Sequence, residues 1–105
     1  MMYGLKSEII KKINGVFAKY PQVNTAILYG SRAIGNYRPG SDIDLTLQGK
    51  NIDLTTLQKI EHELDELLLP YKIDLSLHSQ IENSELLDHI NRIGKTLYSK
   101  EVVFT

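Results

Sequence analysis

Two stretches of this chain alternate polar and apolar residues: Asp42-Ile43-Asp44-Leu45-Thr46-Leu47 and Tyr71-Lys72-Ile73-Asp74-Leu75-Ser76-Leu77. Side chains on a strand point to opposite faces in turn, so each stretch has one apolar face and one polar face. Between them, Asp53 is a good N-cap for a helix whose Leu54, Leu57, Ile60, Leu64, Leu67 and Leu68 recur at helical spacing, and Pro70 ends it. This strand, helix, strand succession requires a sheet whose leucine and isoleucine side is covered. Asp42, Asp44 and Asp74 then all project from the other side.

The flanking segments extend the same sheet. Leu5, Ile9, Ile10, Ile13, Val16, Phe17 and Tyr20 recur at steps of three and four, which predicts a one-sided helix from Leu5 to Tyr20, stopped by Pro21. Thr25-Ala26-Ile27-Leu28-Tyr29, ended by Gly30, reads as a short buried strand. Ser31 to Ser41 contains Gly35, Asn36, Pro39 and Gly40 and is expected to be loop with one helical turn after Ser31. A third long helix is expected from Asn83 through Leu86, Leu87, Ile90 and Ile93 to Gly94, then an edge strand from Lys95 to Tyr98. The predicted fold is α+β: a small mixed sheet of about four strands with helices packed on one face and the other face partly open. One domain is expected over 1–105, with a core at 1–98 and a tail at 99–105 that shows no pattern.

Composition narrows the function. At 105 residues and 42% hydrophobic content the chain can build one core, not two. A formal net charge of -1 leaves no excess of cations to hold an extended nucleic-acid backbone. Without cysteine there is no thiolate nucleophile, no cysteine-ligated zinc and no disulfide. Charged residues interrupt every apolar run before membrane-spanning length, and the start lacks a signal core, so a cytoplasmic location with no membrane role is expected.

The most specific pattern is Gly30-Ser31, ten residues, then Asp42-Ile43-Asp44. At average composition, these four identities at fixed spacing arise by chance in such a chain about once in a thousand. The context also agrees, since Gly-Ser closes one predicted strand and the acids lie on the next. Acids at i and i+2 on a strand point the same way and can share Mg²⁺, which is usually held by one or two carboxylates plus substrate phosphates. Asp74 could complete a second metal site or accept a proton from an attacking hydroxyl. Gly30 permits close backbone approach, and the Ser31 hydroxyl can donate to a phosphate oxygen. Arg32 and Arg38 are nearby cations that could neutralise a triphosphate, and Tyr29 and Tyr37 could stack on a base or simply pack.

Rival readings fit less well. Asp42, Asp44, Thr46 and Asp53 occupy positions one, three, five and twelve of a calcium loop, but Leu47 stands where the sharp turn needs glycine. The glycine spacings around Gly30, Gly35 and Gly40 lack the lysine of a P-loop. His62, His78 and His89 share no metal-ligand spacing and read as surface or satisfied histidines, with only His78 near enough in sequence to Asp74 to reach the site. A lone Asp-x-Asp would ordinarily be solvent-facing strand polarity. Three acids on one face, however, repel one another unless cations offset them.

These residues resemble the nucleotidyltransferase superfamily of DNA polymerase beta, in particular its minimal single-domain prokaryotic members. The likeness rests on Gly30-Ser31, Ser41-Asp42-Ile43-Asp44-Leu45 and the third acid in Lys72-Ile73-Asp74-Leu75. It implies that Asp42, Asp44 and Asp74 are catalytic and bind two Mg²⁺ ions, and that Gly30, Ser31, Arg32, Arg38 and Ser41 bind the nucleotide. It further implies transfer of AMP from ATP to a hydroxyl, with release of pyrophosphate. Minimal members are commonly paired with a small helical HEPN protein, a ribonuclease-type toxin carrying Arg-x₄-His, and act as its antitoxin, in some cases by placing AMP on a toxin tyrosine. Two alternatives stay open: a non-catalytic antitoxin that covers its HEPN partner, and a small-molecule, aminoglycoside-like transferase that needs a second chain. A homo- or hetero-oligomer is compatible with each.

Overall fold

Burial of the two alternating strands dictates how they pair. In a computed structural model, which describes residues 1–100, they form β2 (Ile43–Gly49) and β3 (Ile73–Leu77) and run parallel, with Ile43 opposite Ile73, Leu45 opposite Leu75 and Leu47 opposite Leu77. A parallel pair needs a long crossover. The leucine-patterned helix α3 (Leu54–Glu66) supplies it, and Asp53 caps it by accepting the Thr56 N–H at 2.8 Å. β1 (Val23–Tyr29) pairs antiparallel with β2 on one side and with β4 (Lys95–Ser99) on the other, giving the order β3-β2-β1-β4. The four-stranded mixed sheet and its helices match the expected fold class. Tail residues 101–105 lie outside the described residues, and Ser99 belongs to β4.

One face of the sheet carries the core. Ala26 and Leu28 of β1 join the apolar residues of β2 and β3 there. The helix α1 (Ser7–Phe17) covers them with Ile13, Val16 and Phe17, and α3 with Leu57, Ile60 and Leu64. Lys19 and Tyr20, just past α1, both bond the Glu63 carboxylate of α3 and pin the two helices together. The α1 helix is shorter than its apolar pattern at both ends. Leu5 is fully buried, but in a tight turn bonded to Met2, and Tyr20 lies in a turn closed onto Phe17. Both residues fill the core from turns that happen to keep the helical spacing.

The last helix departs from the expectation that the helices share one face. The α4 helix (Ser84–Ile93), capped by Asn83 through bonds from the Glu85 and Leu86 N–H groups, lies against β1 on the acid-bearing face. Ile27, in register with Thr46 and Ser76 on that face, sits so near the end of α4 that a Cβ on Gly94 would run into it. Ile90 is 3% exposed, and Thr46, though it faces away from the leucine core, is 0% exposed. The reason is that α4 has its own apolar stripe and β1 offers Ile27 to bury it. The polar face is therefore half roofed, and it stays open at the end bearing the acids.

Candidate active site

Register brings the acids together. Asp44 on β2 lies directly opposite Asp74 on β3 and Tyr29 on β1, so the three form one row across neighbouring strands. Asp42, immediately before β2, stands two residues from Asp44 and thus on the same side of extended backbone. Asp42 and Asp74 are exposed and Asp44 is half-buried. Burial, together with the charges of Asp74 and Asp42, raises the Asp44 pKa above the ordinary carboxylate value, an effect partly opposed by His89. Burial also raises the Tyr29 hydroxyl, aided by Asp44 and Asp74 and opposed by Ser76.

The turn into α2 (Ser31–Ile34) closes the site from the β1 side. Gly30 adopts φ 74° and ψ -155°, a region open essentially to glycine alone. A Cβ there would also collide with the Asp44 carboxylate. The residue is glycine for two independent reasons, one of backbone geometry and one of space. Its carbonyl accepts the Ala33 and Ile34 N–H groups and so opens the helical turn, while Ser31 stands half-buried at its first position.

Divalent metal suits this donor set. Among the described residues none of Asp42, Asp44 and Asp74 is in an ion pair. Among the described residues no group of three His, Cys, Asp or Glu side chains is placed so as to hold a metal ion by itself. Mg²⁺ usually needs only one or two protein carboxylates, its remaining ligands being waters and substrate phosphates.

Two of the expected nucleotide ligands have other tasks. Arg32 is 1% exposed: its guanidinium donates to the carbonyl oxygens of Ser41 at 2.9 and 3.1 Å, Tyr3 at 3.0 Å and Pro39 at 3.3 Å, and it lies against the rings of Tyr37 and Tyr71. It is a buried brace that ties the N-terminal turn to the loop before Asp42, and it is unavailable to a phosphate. Ser41 belongs to the same brace, since its hydroxyl accepts the Arg38 N–H at 2.9 Å and its carbonyl holds Arg32. The Arg38 side chain is exposed and outside any ion pair among the described residues. Tyr37 packs on Arg32 instead of standing free for a base. Arg32→Met should lower stability by about 3 kcal/mol, because three carbonyls lose a charged donor in a closed environment. Arg32→Lys should recover only part, since one ammonium cannot reproduce the fork. Urea denaturation of the two variants measures both effects.

Histidine placement reverses the sequence expectation. His78 opens a short 3₁₀ turn at the far end of β3, beside Leu47 and Gln48, four residues along the chain from Asp74. His89 of α4 is the one at the site: its Nε2 accepts the Gly30 N–H at 3.1 Å, and its ring meets the Tyr29 ring edge-on at 6.3 Å. The sequence offers one hint, since the helical pattern puts His89 one residue before Ile90 and hence beside its apolar stripe. Nothing local shows which face of the sheet that stripe covers.

Acids in register on adjacent strands of a mixed sheet, bordered by a strand-ending Gly-Ser turn, make up the architecture of a nucleotidyltransferase domain. The family model for polymerase beta nucleotidyltransferases matches residues 11–102, and the chain belongs to that family. No protein of curated function matches the sequence. Among solved structures, the chain is similar to one in a toxin-antitoxin complex with AMP-PNP (TM-score 0.69, 21% identity, covering 92% of this chain and 76% of that one). It is also similar to a chain in the complex of the tri-AMPylated Shewanella oneidensis HEPN toxin with its MNT antitoxin (TM-score 0.67, 18% identity, 91% and 74%). A third is the toxin-antitoxin pair MntA-HepT (TM-score 0.66, 18% identity, 90% and 74%). At these identities the likeness is one of fold.

Proposed function

We propose that this chain is a Mg²⁺-dependent nucleotidyltransferase that moves AMP from ATP to a hydroxyl of a partner protein, a tyrosine of a HEPN-type toxin, and so acts as its antitoxin. The observation that carries this reading is the row of Asp44 and Asp74 in register, with Asp42 beside it and the Gly30 backbone packed against Asp44. Asp42, Asp44 and Asp74 are the metal-binding acids. Bound Mg²⁺ supplies charge neutralisation for the triphosphate and the departing pyrophosphate. Asp74, exposed at the end of the row, accepts the proton of the attacking hydroxyl as its oxygen bonds to the α-phosphorus and the bond to the bridging oxygen of pyrophosphate breaks. Gly30 and Ser31 hold phosphate oxygens, and Arg38 is the cation free to approach them. The toxin-antitoxin complexes of similar fold support a helical HEPN partner, and the AMP-PNP and AMPylated complexes among them support ATP as donor.

A second reading, neutralisation by steric cover alone, is favoured by exposed apolar side chains at Met1, Met2, Ile34 and Tyr37 that a partner could bury. Co-expression with a HEPN partner separates the two. Under the transfer reading, the double variant Asp42→Ala with Asp44→Ala leaves cells as sensitive to the toxin as cells without this chain. Full protection by the double variant at equal dose decides for steric cover.

A further inference from the structure

We infer that His89 is a positioning residue of the nucleotide site: by accepting the Gly30 N–H it fixes the Tyr29-Gly30 peptide, and with it the entry to the Gly30-Ser31 turn that meets the triphosphate. The inference rests on the reading of the site as a nucleotidyl-transfer centre.

The need for such a residue follows from Gly30 itself. Its backbone sits at φ 74° and ψ -155°, where no side-chain preference holds it, and a glycine between strand and helix is free to swing. Its downstream side is fixed, because its carbonyl accepts two N–H groups of the α2 turn at 3.2 and 3.1 Å. Its upstream N–H lies beyond the last paired residue of β1, in a half-buried position where a donor needs a partner, and His89 Nε2 is that partner. The glycine is thus clamped on both sides, one clamp local and the other from α4, 59 residues away.

The imidazole is itself held in place. Its edge contact with Tyr29 sets the ring plane, and buried Ile90, next in sequence, anchors the helix under it. The residue type also suits its neighbours. A carboxylate could accept the same N–H, but it would add a negative charge beside Asp44, whose pKa is already raised by Asp42 and Asp74. Imidazole accepts without adding a negative charge.

His89→Leu and His89→Gln test this, since a glutamine carbonyl reaches about as far as Nε2 and leucine cannot accept. With His89→Leu, hydrogen exchange at the Gly30 amide should accelerate at least about tenfold, while the amides of Leu28 and Leu45 keep wild-type protection. The MgATP Kd, read by calorimetry on the whole chain, should rise about tenfold, the worth of one well-placed hydrogen bond. His89→Gln should bring both readouts to within about threefold of wild type, a rescue that a merely space-filling histidine would not show. Should His89→Leu not fold, His89→Asn, polar but too short to reach Gly30, carries the same expectations. Wild-type Kd and Gly30 protection in the non-accepting variant, or a glutamine variant as weak as leucine, overturns the inference alone. A wild-type chain that binds no MgATP overturns the transfer reading and this inference with it.

Discussion

Asp44→Asn is expected to give a protein at least as stable as wild type at neutral pH that transfers no nucleotide. Both halves follow from one environment. Asp44 is half-buried and faces Asp74 across the strand pair with Asp42 alongside, so its folded pKa lies above its ordinary value of 3.8. For an acid shifted upward, the folded state binds more protons than the unfolded state between the two pKa values, so stability falls as pH rises through that window. The penalty is absent below the unfolded pKa and complete above the folded one. Asparagine removes it, and the stability difference between variant and wild type should grow from acid to neutral pH in denaturant melts. The same substitution removes a carboxylate that Mg²⁺ and substrate phosphates require, at a cost of about a thousandfold or more in transfer rate. Mg²⁺ at a hundred times its Kd should stabilise wild type by about 2.7 kcal/mol and leave the variant unmoved.

Gly30→Ala should damage stability and transfer together. Its backbone region costs a non-glycine residue about 1–3 kcal/mol, and the added Cβ meets the Asp44 carboxylate, so either the turn or the acid must move. Urea melts should show that loss together with transfer below detection. Gly15 is the internal control. It lies in α1 with ordinary helical backbone, and a methyl group on its Cα would meet nothing within 4 Å. Gly15→Ala should therefore stabilise by about 0.5–1 kcal/mol and leave transfer intact.

What could be seen in the sequence was what local chemistry determines. The alternation in β2 and β3, the Asp53 cap, the start of α4 near Asn83 and the turn after Ser31 each depend on residues within a few positions, and they appear where expected. Even the shared face of Asp44 and Asp74 was implied, because burying two apolar faces in one core leaves the acids on a common opposite face. The unseen features all depend on partners distant in sequence. Arg32 reads as a loop cation until Tyr3 and Tyr71 close over it. His89 reads as a helix-surface residue until Ile27 draws α4 onto the acid face. His78 reads as nearer to Asp74 than it is, because four residues of strand carry it roughly 13 Å along the sheet and away from the row. A short count along a strand is a long distance in space.

The most direct test of the account is the intact mass of the purified HEPN partner after incubation with this chain and MgATP. The account predicts a gain of whole adenylate units on a partner tyrosine, absent without Mg²⁺ and absent with Asp42→Ala or Asp44→Ala. A partner that binds the folded, Mg²⁺-loaded chain yet keeps its original mass would contradict it.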